Sequence, residues 1–290
     1  RPPTATGTPT AVGLNDARGE EVRLRRPPSQ IVSLAPSVTE CLFYLGVGDR
    51  VAGVTKFCDW PEEARKLPRV GEFSRFSLEK VVSLKPGLVV AARGNDLGGL
   101  QKLRRSRIPV FATDFQTVDD VLAGLETLGT LTGSQAGGLA ARDRMLEELR
   151  TAVLHVPRSP EKRPRVYWGG WEETRYTAGG GTLVDDLIRR AGGDNIGAEA
   201  GDGWPQLSLE ALARADPEII LLGYMMPGQD ETAVRAKMAS HRVWGRIKAV
   251  KSGRIHYVST DLIGHPSPRC LEGLRDLVKL FWGSLEPGTR

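Results

Sequence analysis

Residues Ser134–Val156 read SQAGGLAARDRMLEELRTAVLHV, and the fold turns on this stretch. It contains no proline. Its apolar residues Leu139, Met145, Leu146, Leu149 and Val153 keep mostly to one face of a 3.6-residue period. The pattern predicts one helix of about 22 residues, roughly 33 Å long at 1.5 Å per residue. That is long for a crossover helix within a single layer. Pro157, Pro160 and Pro164 follow and close it.

On either side of this helix, strand and helix patterns alternate. Ile31–Ala35, Val51–Val54, Gly87–Ala91 and Val110–Ala112 read as strands. A helix starts at Pro36 and stops at Gly46, and two more run over Ser77–Leu84 and Val118–Leu131. The alternation resumes through Arg165–Trp168, Leu183–Ala191, Leu209–Ala215, Glu218–Leu222 and Arg254–Val258, and a last helix runs from about Pro268 to Trp282. Alternation of this kind implies parallel strands with crossover helices. The expected fold class is therefore α/β, with two Rossmann-like lobes of parallel sheet joined by one long α-helix. The expected divisions are a flexible leader and N-terminal hairpin over 1–28, an N-terminal lobe over 29–132, the connecting helix over 133–156 and a C-terminal lobe over 157–290. Asn15-Asp16-Ala17-Arg18-Gly19 supplies the hairpin turn.

Composition narrows the function classes. The chain has 290 residues, enough for two domains. A 40% hydrophobic content supports a real core, and 26% charged residues argue against broad disorder. The net charge of +5 is scattered, whereas a nucleic-acid platform needs a dense basic stripe, so no nucleic acid is expected. No apolar run reaches the roughly 18 residues needed to span a bilayer. Cys41, Cys58 and Cys270 form no CxxC, so at most one disulfide can form. The chain begins with Arg1 and carries no apolar signal core. We expect a signal or lipoprotein leader to have been removed before residue 1, as suits an exported, periplasmic or membrane-anchored protein.

An internal repeat links the halves. Phe73-Ser74-Arg75-Phe76-Ser77-Leu78-Glu79 leads on to Pro86, and Trp204-Pro205-Gln206-Leu207-Ser208-Leu209-Glu210 leads on to Pro217, at an offset of 131 residues. In both, an aromatic stands six residues before the glutamate and a proline seven after it. Ser77 and Ser208 read as N-caps. Glu79 and Glu210 fall in the first turn, where the helix dipole favours negative charge. Helix-start chemistry alone accounts for both glutamates. The alternative is functional: two equivalent carboxylates offered to a symmetric partner with basic pockets.

The aromatics Trp60, Phe73, Trp168, Trp171, Tyr176, Trp204 and Tyr224 cluster in segments that read as loops, and Trp60 and Trp204 both precede proline. Loops at the carboxyl ends of strands line ligand crevices in α/β folds. Aromatic loops from both lobes would form a cleft for a large, flat, partly apolar ligand, although any one tryptophan can equally be packing its own loop. Enzyme signals are poor, with no phosphate-binding, zinc-protease, nucleophile-elbow or dinucleotide motif. Gly179-Gly180-Gly181-Thr182 could cradle an anion or be a plain turn. His155, His241, His256 and His265 have no metal-ligand spacing, so no metal is expected to be held directly.

These segments resemble the metal-chelate solute-binding proteins of ATP-driven importers, class III among periplasmic binding proteins, over about residues 12–285. The opening pattern is Asp16, Gly19, Ile31-Val32-Ser33-Leu34-Ala35-Pro36-Ser37 and Thr39-Glu40. Within that family the chain is most similar to the cobalamin (vitamin B12) binders, through Asp59-Trp60-Pro61, Leu78-Glu79, Pro86-Gly87-Leu88-Val89-Val90, Arg93-Gly94-Asn95, Trp204-Pro205-Gln206, Ser208, Glu210 and Ser267-Pro268-Arg269. The resemblance implies ligand-lining roles for Ser37, Trp60, Phe73, Tyr176, Trp204 and Asp261. It implies docking of Glu79 and Glu210 to arginines of an ABC permease dimer. Ala92 and His265 depart from the pattern, Ala92 replacing an aromatic and His265 falling near an arginine position. The expected cargo is a corrinoid, with no prosthetic group, no catalysis and a monomeric chain. A haem or ferric-siderophore binder of the same fold is the first rival. Tyr224 or His265 would then be an axial ligand, and Arg93 and Arg175 would be candidate cleft arginines. A two-lobed α/β enzyme and a sensor subunit are the others.

Overall fold

The computed structural model describes residues 12–158, 163–171, 176–223 and 230–283. These divide into two compact units, one running to Phe115 and adding Asp119–Leu146, the other made of Gln116–Val118 and the residues from Glu147 onward.

The first unit opens with an antiparallel hairpin, β1 (Val12–Asn15) and β2 (Glu21–Leu24). Its turn is anchored by Asp16. One carboxylate oxygen accepts the Arg18 and Glu20 amides at 2.8 and 3.0 Å, and the other accepts Arg104 Nη2 at 2.6 Å and the Ala112 amide at 3.1 Å. The hairpin is thereby fastened to the body of the unit. Then follow β3 (Ile31–Ser33), α1 (Pro36–Tyr44), β4 (Val51–Val54), α2 (Glu62–Arg65), α3 (Leu78–Ser83), β5 (Leu88–Ala92), α4 (Leu97–Arg105), β6 (Val110–Thr113), α5 (Val118–Leu131) and α6 (Gln135–Ala152). The sheet runs β4-β3-β5-β6, with every neighbouring pair parallel.

The second unit contains β7 (Arg165–Trp168), α7 (Leu183–Arg190), β8 (Asp194–Asn195), α8 (Leu209–Ala215), β9 (Ile219–Leu222), α9 (Glu231–Ser240), α10 (Lys248–Lys251), β10 (Ile255–Tyr257), α11 (Thr260–Gly264) and α12 (Cys270–Trp282). Its sheet runs β10-β9-β7-β8, again parallel throughout. Counted along the chain, each sheet has its second strand outermost, then its first, third and fourth. The internal repeat is thus a repeat of topology. It reaches the backbone as well. Lys85 and Asp216, at the same position in each copy and each followed by proline, adopt left-handed φ angles of 47° and 44°.

Helix α6 is shorter than its sequence pattern predicts. It spans 18 residues, roughly 27 Å, and gives way at Val153–Val156 to turns, such as the Leu154 amide on the Thr151 carbonyl at 3.3 Å. Pro157, which follows directly, cannot continue the helix. Its buried line also differs. Leu139 is 46% exposed, whereas Ala141, Met145 and Ala152 are buried. Small residues win because the helices pack closely: a Cβ on Gly129 of α5 would meet Gly138 Cα of α6 at 2.7 Å.

Each unit has its own core. Val32, Leu34, Val89, Leu100 and Leu103 centre the first; Tyr167, Ile220, Met238 and Trp244 centre the second. Trp244, in the polar context HRVWGRIK, is fully buried with its ring centroid 6.0 Å from that of Tyr167. Cys41, Cys58 and Cys270 are each buried as thiols, so the one disulfide the sequence allowed is not formed.

Candidate functional site

Every candidate residue within the described segments follows the carboxyl end of a strand. Ser37 follows β3, Trp60, Phe73 and Glu79 follow β4, and Arg93 follows β5. Tyr176 follows β7, Trp204 and Glu210 follow β8, and Asp261 and His265 follow β10. In each sheet the chain reverses direction of winding between its first and third strands, β3/β5 and β7/β9, the position at which open α/β sheets bind ligands.

In the first lobe, Ser37 is buried in the opening turn of α1. Trp60 is 47% exposed, in a loop held by Arg69, whose Nη1 donates to the Thr55 and Cys58 carbonyls, both at 2.9 Å, and whose Nη2 reaches Asp59 Oδ1 at 3.2 Å. The Phe73 ring lies against Gly94. A Cβ there would meet the ring at 2.8 Å, and Gly94 has φ +98°, so glycine is required on both counts. Arg93, beside it, is exposed, its Nη1 3.7 Å from Asp114 Oδ2. Asn95 ties these parts together. Its Nδ2 donates to the Leu34 carbonyl at 2.9 Å and to the Phe73 carbonyl at 2.5 Å, while its Oδ1 accepts the Ala92 amide at 2.8 Å. The start of α1 with Ser37 and the loops with Phe73 and Arg93 thus share one anchor. Asn95 stood in the sequence only as part of a matching segment; its anchoring role lies in contacts to residues distant along the chain.

In the second lobe, Tyr176 and Trp204 are 53% and 52% exposed. Their segments pair through the backbone. Tyr176 bridges to Gln206, the Thr177 amide donates to the Pro205 carbonyl at 3.0 Å, and the Gly179 amide to the Gly203 carbonyl at 2.8 Å. Trp168 is the last residue of β7 rather than a loop residue, and its ring meets that of Trp204 edge to face, with centroids 5.4 Å apart. Trp171 packs against the core and is no free loop aromatic. Asp261 stands exposed in α11, not in a loop, and His265 caps that helix. Burial holds the His265 imidazole below its ordinary pKa; Asp261 opposes this and Arg269 reinforces it. Tyr224 and Arg175 lie outside the described residues.

The two repeat glutamates are exposed in the first turns of α3 and α8. Ser77 Oγ accepts the Lys80 amide at 3.3 Å and Ser208 Oγ accepts the Ala211 amide at 3.1 Å. Among the described residues no three His, Cys, Asp or Glu side chains gather as a metal site, and no helix is long and apolar enough to cross a membrane.

Two lobes of parallel sheet with one strand order, the chain leaving the first for the last time within the long helix α6, define the helical-backbone class of solute-binding proteins. Residues 31–262 match the family described as periplasmic binding protein, and the chain belongs to that family. A cobalamin-binding protein of Halobacterium salinarum is 32% identical over 92% of this chain and 73% of its own length. Among solved structures, the periplasmic vitamin B12 binding protein BtuF of Vibrio cholerae is similar with a TM-score of 0.72 at 26% identity, covering 88% of this chain and 97% of that one. The periplasmic heme-binding protein RhuT of Roseiflexus sp. RS-1 has a TM-score of 0.76, also at 26% identity, covering 88% and 98%. The family consists of binding components of transport systems rather than catalysts.

Proposed function

We propose that this chain is the extracytoplasmic binding component of an ABC importer, that its cargo is a corrinoid, and that it hands the cargo unaltered to a permease dimer. The observation that carries the reading is the exposure of Trp60, Tyr176 and Trp204, each about half open and each on a loop at a carboxyl sheet edge. Large aromatics left open in this way mark a binding surface. A corrin ring offers broad flat faces that such side chains can cover, each square ångström of apolar area contributing about 25 cal/mol before association costs. Ser37, Phe73 and Arg93 extend that surface in the first lobe, and Asp261 accepts hydrogen bonds from peripheral amides in the second. Glu79 and Glu210 are the docking carboxylates. Similarity to the Halobacterium cobalamin-binding protein supports the choice of cargo.

One observation favours haem as a second reading: burial shifts His265 toward its neutral form, the form that ligates a metal. The test is a competitive titration followed by tryptophan fluorescence and visible absorption, with cyanocobalamin, hemin and a ferric siderophore. Saturable quenching by cyanocobalamin, not displaced by hemin, is expected. A new iron–imidazole absorption band with hemin and no response to cyanocobalamin would replace the corrinoid by haem.

A further inference from the structure

Trp168 occupies the centre of the second lobe's carboxyl edge. It ends β7, one of the two strands between which the order reverses. Its ring meets the exposed Trp204 ring, 5.4 Å away between centroids. On another side it borders the turn after β9: a Cβ on Gly223 would lie 4.0 Å from Trp168 Cζ2 and 3.0 Å from Thr260 Cγ2. Thr260 precedes Asp261 on α11. One indole therefore packs beside the elements that carry Trp204 and Asp261.

The indole nitrogen of Trp168 is buried and has no hydrogen-bond acceptor among the described residues. Tryptophan has a single donor and no acceptor, and a donor removed from water without a partner weakens the folded state. The Trp168 carbonyl is satisfied, accepting Thr177 Oγ1 at 2.7 Å, so the backbone is fixed and the shortfall is confined to the side chain. Phenylalanine would fill much the same space without that cost.

We propose that Trp168 is a further ligand-recognition residue, whose indole N–H donates to an amide carbonyl at the rim of the bound corrinoid once the exposed Trp204 ring yields to the ligand. This rests on the corrinoid reading. The donor is neutral and directional, and it complements Asp261: the carboxylate accepts from amide N–H groups, and the indole supplies the opposite partner to an amide oxygen. Trp204 contributes area, Trp168 the hydrogen bond that orients the ring.

The test compares the wild type with Trp168→Phe, using cyanocobalamin as the probe. Affinity in Trp168→Phe is expected to fall about fivefold to tenfold, the loss of one neutral hydrogen bond. The melting temperature of the ligand-free protein is expected to stay level or rise, because an unsatisfied donor has been removed. A purely structural tryptophan would lower both together. In the wild type, one of the six indole N–H resonances, absent from Trp168→Phe, should move downfield at saturation. Unchanged affinity in Trp168→Phe, or an indole resonance that does not move, overturns the proposal while cyanocobalamin binding by the wild type keeps the corrinoid reading. Failure of the wild type to bind cyanocobalamin overturns both.

Discussion

In the first lobe the loops at the carboxyl edge are tied by side chains, Asn95 bonding three separate backbone groups and Arg69 holding the Trp60 loop. In the second lobe they are tied mainly along the backbone, through the bonds of Thr177, Gly179, Gly180 and Gly203 to the facing segment, with the Thr177 and Thr182 hydroxyls and Asn195 Nδ2 adding side-chain bonds to the Trp168, Gly179 and Ala178 carbonyls. Strand order, N-caps and the left-handed residue before proline are common to both lobes. The scaffold repeats, whereas the balance between side-chain and backbone ties on the binding loops does not. The loop carrying Phe73 is thus a short turn, closed by the Glu72 amide on the Arg75 carbonyl, that Asn95 fastens to the body, and a pair of segments carrying Tyr176 and Trp204 is fixed along its length.

The largest expected effect tests what the lobes share. Reversing both Glu79 and Glu210 to lysine should reduce transport in a reconstituted importer to background while ligand affinity stays within about twofold, because rim charges act on encounter with the partner. Affinity that collapses with transport would move these glutamates from docking to ligand binding. Reversing either one alone should give a partial loss if the halves act as equivalents, and an all-or-none response at a single site would break that equivalence.

The next effect tests what the lobes do not share. Asn95→Ala leaves buried carbonyls unpaired and should lower stability by about 1–3 kcal/mol, together with ligand affinity. Thr177→Val removes one hydroxyl bond from a segment still held by its backbone, and should cost about 1 kcal/mol or less. Thermal melts of the two variants check the contrast; equal losses would contradict it.

Acid should act through the second lobe. Burial, chiefly, holds His265 and His256 below the ordinary imidazole value of 6.5. A folded-state pKa below the unfolded one favours the neutral form in the native protein. That contribution is complete above pH 6.5 and is lost as pH falls through the folded values. Melting temperature should therefore drop on acidification from pH 7, and His265→Gln with His256→Gln should flatten that limb. A slope unaffected by both changes would remove the histidines from the account.

The smallest effect separates the two left-handed residues. Lys85, at φ 47°, has only its own conformation at stake, so Lys85→Gly should stabilise by about 0.5 kcal/mol. Asp216, at φ 44°, also accepts the Lys248 amide at 2.9 Å and lies 3.2 Å from its ammonium. Asp216→Gly should be neutral or mildly destabilising. Melts in which the two glycine variants behave alike would make the shared backbone the only relevant feature.

Much of this scaffold was legible in the sequence. Helix α8 covers the expected Leu209–Ala215, and the expected strands fall within a residue or two of their apolar runs, whereas the two-residue β8, Asp194–Asn195, has no such run and was not foreseen. Helix α4 was not, because LGGLQKLRR opens with weak helix formers. It forms because Asp96 accepts the Gly98 and Gly99 amides, both at 3.0 Å. Leu139 was assigned to the buried face of α6 by its period alone; the glycine-lined contact with α5 depends on a neighbour that periodicity does not reveal. The exposed aromatics were visible from their loop contexts. The Asn95 anchor was not, since its partners Leu34 and Phe73 lie 61 and 22 residues away. Trp168 was grouped with the loop aromatics, yet it also closed the expected strand Arg165–Trp168, and it is the strand that forms.

Isothermal titration of the purified chain with cyanocobalamin tests the central claim most directly. One-to-one binding with a Kd below about 1 μM, a free energy more favourable than about −8 kcal/mol, is the predicted result. No heat at concentrations on the order of tens of micromolar, where a site of that affinity would be saturated, would contradict it.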